Sequence, residues 1–138
     1  RIGMNMKVQA LPQNVFFTRA SALEFSFFMV GFGNMTGDAA RGLTAVLGTF
    51  DQQAGIGANN RGRYSNPEVD KLIAEAASAT DPKKRESLLQ EATKLAVVKD
   101  VGIIPLHFEM NTWATRKGLK IVARMDEDTL ANWVTPEK

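Results

Sequence analysis

The 138-residue chain contains no cysteine. That excludes disulfide scaffolds, thiol nucleophiles and every zinc site built on cysteine. Its single histidine, His107, excludes the His-paired metal motifs as well. An absence of cysteine is compatible with an oxidising compartment without identifying one. An excess of charge is also lacking. Lys and Arg number 17 against 15 Asp and Glu, a net charge of +2. Residues 1–60 carry 4 positive and 3 negative side chains, and residues 61–138 carry 13 and 12. There is neither a basic arm nor an acidic tail. A nucleic-acid binder needs a concentrated cationic face, so no nucleic-acid partner is expected. No apolar run reaches the roughly 18 residues that suggest a membrane span. The longest, Phe25 to Phe32, is broken by Ser26 and Gly31. No signal peptide is seen, and the chain opens at Arg1 on strand-like sequence. That start is expected of a fragment or a processed product.

What is present has globular proportions, 44% hydrophobic and 23% charged, in one domain's length. Met4, Met6, Val8 and Ala10 alternate with Asn5, Lys7 and Gln9. A period of two predicts a strand with one wet face. Pro12 starts a short helix through Val15, Phe16, Arg19 and Ala20. Phe25 to Val30 is apolar on both alternating sets, which predicts a strand covered on both faces. Strand, helix and strand together read as a βαβ unit.

The loop Gly31-Phe32-Gly33-Asn34-Met35-Thr36-Gly37-Asp38 follows that strand, and Asp38 is placed to cap a helix bearing Leu43, Val46 and Leu47. Residues 49–66 have no period and hold Gly55, Gly57, Gly62, Asn59 and Asn60; such a loop is functional, disordered, or a plain surface connection. Asn66-Pro67 and Asp81-Pro82 are two helix starts. Val69, Leu72, Ile73 and Ala76 form one apolar stripe, and Leu88, Leu89, Ala92, Leu95 and Ala96 the other. Lys83, Lys84, Arg85 and Glu91 read as a solvated face. Val101 to Phe108 reads as an edge or bulged strand because Pro105 lies inside it. Trp113 to Val122 reads as extended with a turn at Lys117-Gly118, and residues 129–134 as a last short helix.

Catalytic signals are sparse. His107 is not accompanied by Gly-x-Ser-x-Gly, His-Glu-x-x-His or Walker patterns. Asp38 and Asp51 are available as a carboxylate pair, although a helix cap and an exposed turn explain them more simply. Gly31, Gly33 and Gly37 stand where a phosphate loop would, with the wrong spacing, and Asp38 at the helix mouth would repel an anion. A loop at a strand end remains, offering Phe32, Asn34, Met35 and Thr36 to a concave site.

The run from Asn59 to Ile73, NNRGRYSNPEVDKLI, resembles the extracellular solute-binding proteins of peptide- and nickel-type ABC importers, solute-binding protein family 5. Asp81-Pro82-Lys83-Lys84-Arg85 with Leu88-Leu89-Gln90-Glu91-Ala92 is similar to that family's second helix. Val101 to Leu106, Trp113 to Leu119, Arg124-Met125-Asp126-Glu127 and, upstream, Phe25 to Gly33 resemble further segments in the same order. The resemblance implies an α/β fold: the C-terminal part of a two-lobed periplasmic-binding-protein-like fold, type II and cluster C like, with a mixed sheet and flanking helices. It places residues 1–112 in the ligand-closing second lobe. Residues 113–138 become a crossing segment that returns to a first lobe absent from this chain, which would also have carried the signal sequence. Two positions depart from the family pattern. Phe32 stands where tryptophan is usual, and Met35 stands near the position at which the family's peptide binders carry an aspartate that pairs with the peptide's amino group. A thioether has no charge to offer an ammonium, which counts against a peptide held by its amino terminus.

The expected function is non-covalent capture of a small solute, peptide-like or other, outside the membrane or in the periplasm, and its delivery to an ABC permease. Phe32, Asn34, Met35 and Thr36 would contact ligand, with His107 and Glu109 beside them. No catalytic residue, metal or cofactor is expected. Two alternatives stand beside this reading. One is a small hydrolase or transferase using His107 with an aspartate; the other is a sensory domain of the same fold that has lost transport. Without its first lobe, the apolar positions Leu119, Ile121, Leu130 and Trp133 are expected to be disordered, folded back, or buried in self-association.

Overall fold

A computed structural model describes residues 3–124 and 126–137. Arg1, Met125 and Lys138, which the sequence reading touched, lie outside the described residues. Among the described residues, four α-helices and one small sheet make up most of the regular structure. Helix α1 spans Gln13–Ser21, with Pro12 just before it. Helix α2, Ala39–Gly42, runs on through a wider π-type stretch, Leu43–Leu47, closed by the Gly48 N–H on the Leu43 carbonyl at 2.7 Å. Helices α3, Pro67–Ser78, and α4, Pro82–Thr93, form an αα-hairpin, and α4 also continues as a π-type stretch, Lys94–Lys99. The three caps read from sequence are present. Asp38, Asn66 and Asp81 accept from the N–H groups of Ala40, Glu68 and Lys83 at 2.7, 2.9 and 3.0 Å. Each satisfies one of the N–H groups that a helix start leaves without a partner.

The core lies where α2, α3 and α4 meet. Leu43 and Leu47 pack with Val69, Leu72, Ile73 and Ala76 of α3 and with Leu89, Ala92, Leu95 and Ala96 on α4 and its extension. These are the two predicted stripes, apart from Leu88, which is only partly buried. After α4 the chain turns sharply. Val101 has φ +52°, which is costly for a β-branched residue. The turn lets the Gly102 N–H reach the Ala96 carbonyl at 2.8 Å.

The sheet differs from the expectation. Among the described residues it has two antiparallel strands, β1 (Leu119–Ile121) and β2 (Val134–Pro136), with Lys120 opposite Thr135. The segments at 4–10, 25–30 and 101–108 lie outside helix and strand, so no βαβ unit and no mixed sheet form among the described residues. Alternation selects a strand only when a ladder partner takes up its backbone groups. None is present for these three segments, and Val8, Met29, Leu106 and Phe108 face solvent. The tail does fold back on itself. Gly118 turns at φ +85° and accepts from Glu137, and a short 3₁₀ turn, Ala131–Trp133, stands where the last helix was expected.

Candidate functional site

The loop at residues 31–38 is built by its own polar side chains. Asn34 Nδ2 donates to the Asp38 carbonyl at 2.7 Å. Asn34 Oδ1 accepts from the Thr36 hydroxyl at 3.1 Å and, more weakly, from the Thr36 N–H at 3.4 Å. The Thr36 hydroxyl oxygen in turn accepts from the Asp38 N–H at 3.3 Å. Asn34 and Thr36 therefore hold the turn together, and much of their capacity is spent there. Phe32 and Met35 are left facing outward, 39% and 53% exposed.

Asp38 ends the loop and is committed twice. It caps α2, and it takes a two-pronged contact from Arg85 of α4, at 2.6 and 3.1 Å. The Arg85 hydrogen bonds, helped by the Ala40 N–H, hold its carboxyl below the usual 3.8. Arg85 belongs to this bridge and not to a purely solvated face, as its sequence neighbours suggested.

Two carboxylates approach the loop from the far end of the chain. A Cβ at Gly31 would stand 3.3 Å from Glu109 Oε1, and one at Gly33 would stand 3.7 Å from Glu127 Oε1. The fold thus brings Glu109 to the loop of Phe32, Asn34, Met35 and Thr36. His107 lies two residues earlier on the same extended segment, exposed, and makes no hydrogen bond to an aspartate among the described residues. Glu127 was not singled out from sequence. Its proximity is a long-range product of the fold, and no local pattern announces it.

The long loop at 49–66 is ordered by a buried asparagine. Asn60, 2% exposed, donates to the carbonyls of Gly48 and Tyr64 at 2.9 and 2.7 Å and accepts from the Tyr64 N–H at 3.0 Å. The π-type stretch contributes as well: the carbonyls of Thr44 and Ala45 accept from Gly57 and Asn59 at 2.9 and 2.8 Å. Gly57, at φ +65°, admits no side chain, since a Cβ would lie 2.5 Å from the Gly48 carbonyl oxygen. Asp51 receives the N–H groups of Gln53 and Ala54 at 2.8 and 3.0 Å, which is the turn role expected of it. Tyr64 and Asn66 both donate to Asp100 at 2.6 Å. Burial and that neighbouring carboxylate push the Tyr64 hydroxyl up to about 12.

Two shallow, open clefts lie on the surface. One, of about 350 Å³, opens between Ser21 at the end of α1 and the 50–63 stretch, and includes Phe50, Asp51, Arg61 and Arg63. The other, of about 400 Å³, lies at the link between α3 and α4. Neither is lined by the 31–37 loop, His107 or Glu109. No group of three metal-ligating side chains occurs among the described residues.

Comparison with known proteins points to peptide binders. The chain is 29% identical to the dipeptide-binding protein DppE of Bacillus subtilis over 123 residues, 89% of this chain and 21% of DppE. It is 33% identical to the oligopeptide-binding protein OppA of the same organism over 46% of this chain and 12% of that protein. It is 40% identical to the periplasmic oligopeptide-binding protein OppA of Haemophilus influenzae over 38% of this chain and 10% of that protein. The chain therefore spans about a fifth or less of the length of these relatives. No family model and no solved structure matches it.

Proposed function

We propose that this chain is the C-terminal portion of a two-lobed solute-binding protein serving an ABC importer, residues 1–112 belonging to the second lobe and residues 113–138 crossing back toward the first. It would capture a small or peptide-like solute on the outer side of the membrane and pass it to a permease without catalysis. The observation that carries the reading is the similarity to DppE along 89% of the chain. The structure adds support of a different kind. Three apolar extended segments stand without ladder partners beside a complete helical core, the condition of strands made to join a larger sheet. No helix among the described residues is long and apolar enough to cross a membrane. The enzyme alternative gains nothing from the geometry, because Asp38 and Asp51 are both engaged elsewhere and His107 reaches neither.

The solute would meet Phe32 and Met35 on the loop, with Glu109 and His107 at its side, while Asn34 and Thr36 fix the loop's shape. A cleft closed between two lobes draws its affinity from both walls. One wall alone is expected to hold roughly half the binding free energy. A micromolar ligand, at about −8 kcal/mol, then weakens to about −4, a millimolar Kd. The test has two arms. Mass spectrometry of the full-length protein should find a co-purified solute. NMR titration of this chain with that solute should then shift amides at 31–37 and 107–109 with a millimolar Kd. Affinity in the chain equal to that of the full-length protein would remove the two-wall reading, and a sensor lacking permease partners would fail to support uptake.

A further inference from the structure

The cleft at the end of α1 contains two guanidinium groups with no acidic partner. The four ion pairs among the described residues join Arg19 to Glu24, Lys71 to Glu75, Arg85 to Asp38 and Arg124 to Asp126. Arg61 and Arg63 belong to none of them. Both are held flat. Arg61 lies over the Phe17 ring at 4.7 Å, with Nε 3.4 Å from Ser21 Oγ and a terminal nitrogen 3.3 Å from Asn59 Oδ1. Arg63 lies over the Phe50 ring at 3.9 Å and donates one terminal nitrogen to the Asn60 carbonyl at 2.8 Å. A guanidinium has five N–H donors, so each retains several for a ligand. Asp51, the one acidic residue on the wall, has only Oδ1 occupied, by the N–H groups of its own turn, and its single negative charge is outweighed by the two guanidiniums. Phe50, Ile56 and Ala58 supply an apolar surface in the same cleft.

An arginine seated over a ring and hydrogen-bonded at one nitrogen gives up less freedom on binding an anion than a fully free one. Its planar fork matches a carboxylate. A cleft of about 350 Å³ stands at the small end of ligand sites. We propose that this cleft is a binding site for a small-molecule monocarboxylate with a short apolar stem. The carboxylate lies on Arg61 and Arg63 and the stem on Phe50, Ile56 and Ala58. The site uses only residues 17–21 and 50–63, so it stands or falls apart from the solute loop at 31–37.

The experiment is an NMR titration of the 138-residue chain with N-acetyl-L-leucine, and separately with its neutral amide. The carboxylate is expected to shift the amides of residues 50–63 and the Nε–H signals of Arg61 and Arg63, saturably. The amide should bind at least tenfold more weakly. Arg63→Lys keeps the charge but loses the fork and the stacking, and should weaken the carboxylate about tenfold. Equal response to acid and amide would overturn the proposal, as would shifts confined to other parts of the chain. Should Arg63→Lys perturb folding, Arg61→Lys and the acid–amide pair on the unchanged protein still decide the matter.

Discussion

Residues 66–100 and residues 101–110 are consecutive and the second stretch is the more apolar, yet the first buries its apolar stripes and the second does not. The first supplies Val69, Leu72, Ile73, Leu89 and Leu95 to the core. The second leaves Ile104, Leu106, Phe108 and Met110 in solvent. A helix closes most of its own backbone hydrogen bonds, so it needs only a neighbour for one face. An extended segment needs a neighbour for every N–H and C=O along its length. The α2–α3–α4 unit is therefore complete in itself, while the extended stretches carry the side-chain pattern of a sheet without its ladder.

Hydrogen exchange should show the largest contrast. Amides inside α3 and α4 are expected to exchange through global opening, slowed by about three orders of magnitude or more. Amides at 4–10, 25–30 and 103–110 should exchange close to the free-peptide rate. Strong protection at 103–110 would mean that these residues find a ladder partner in solution, and a concentration-dependent protection would identify that partner as a second copy.

Substitution divides the same two regions. Leu89→Ala empties part of a packed core and should cost about 2–5 kcal/mol, read as a lower urea midpoint. Phe108→Ala, at a fully exposed ring, should stay within about 0.5 kcal/mol of the parent. Similar losses for both would break the comparison, because they would require Phe108 to be buried.

Legibility followed the same divide. Caps and 3.6-residue stripes are local, and Asn66, Asp81, Val69 and Leu89 all stand where the sequence put them. Alternation at 4–10 and a two-sided apolar run at 25–30 state that faces are to be covered but not what covers them. The loop of Phe32, Asn34, Met35 and Thr36 was found as a loop, yet the inward use of Asn34 and Thr36 was not, because a hydrogen-bonding residue does not reveal its partner. Arg85 was read among its charged neighbours. Its bond to Asp38, 47 positions away, has no signature in spacing.

The ordered 49–66 loop offers a smaller test. Asn60→Ala removes the partner of two carbonyls and one N–H in a buried setting. The expected cost is about 1–3 kcal/mol, with the Tyr64 amide signal moving furthest. A variant as stable as the parent would show that water replaces the amide, and the loop would then belong with the solvated segments and not with the core.

The smallest effect is expected at Arg85, the ion pair that ties the 31–38 loop to α4. Asp38 has its carboxyl lowered from 3.8, first by the Arg85 hydrogen bonds and then by the Ala40 N–H. A carboxyl lowered by folding adds stability at pH values above its unfolded value and loses that contribution as pH falls through its folded value. Arg85 itself is raised by its hydrogen bonds to Asp38 and remains charged throughout. The urea midpoints of the parent and of Arg85→Gln should therefore differ by a small, constant amount from pH 7 to about pH 5, the flat range above a carboxylate. The gap should close as pH drops below 3.8. Both partners are about one-third exposed, at 34% and 36%, so added salt should narrow the gap at neutral pH as well. A gap that ignores both pH and salt would assign Arg85 a packing role through its stem. In that case the 31–38 loop would be anchored to the helical core by the Asp38 cap alone.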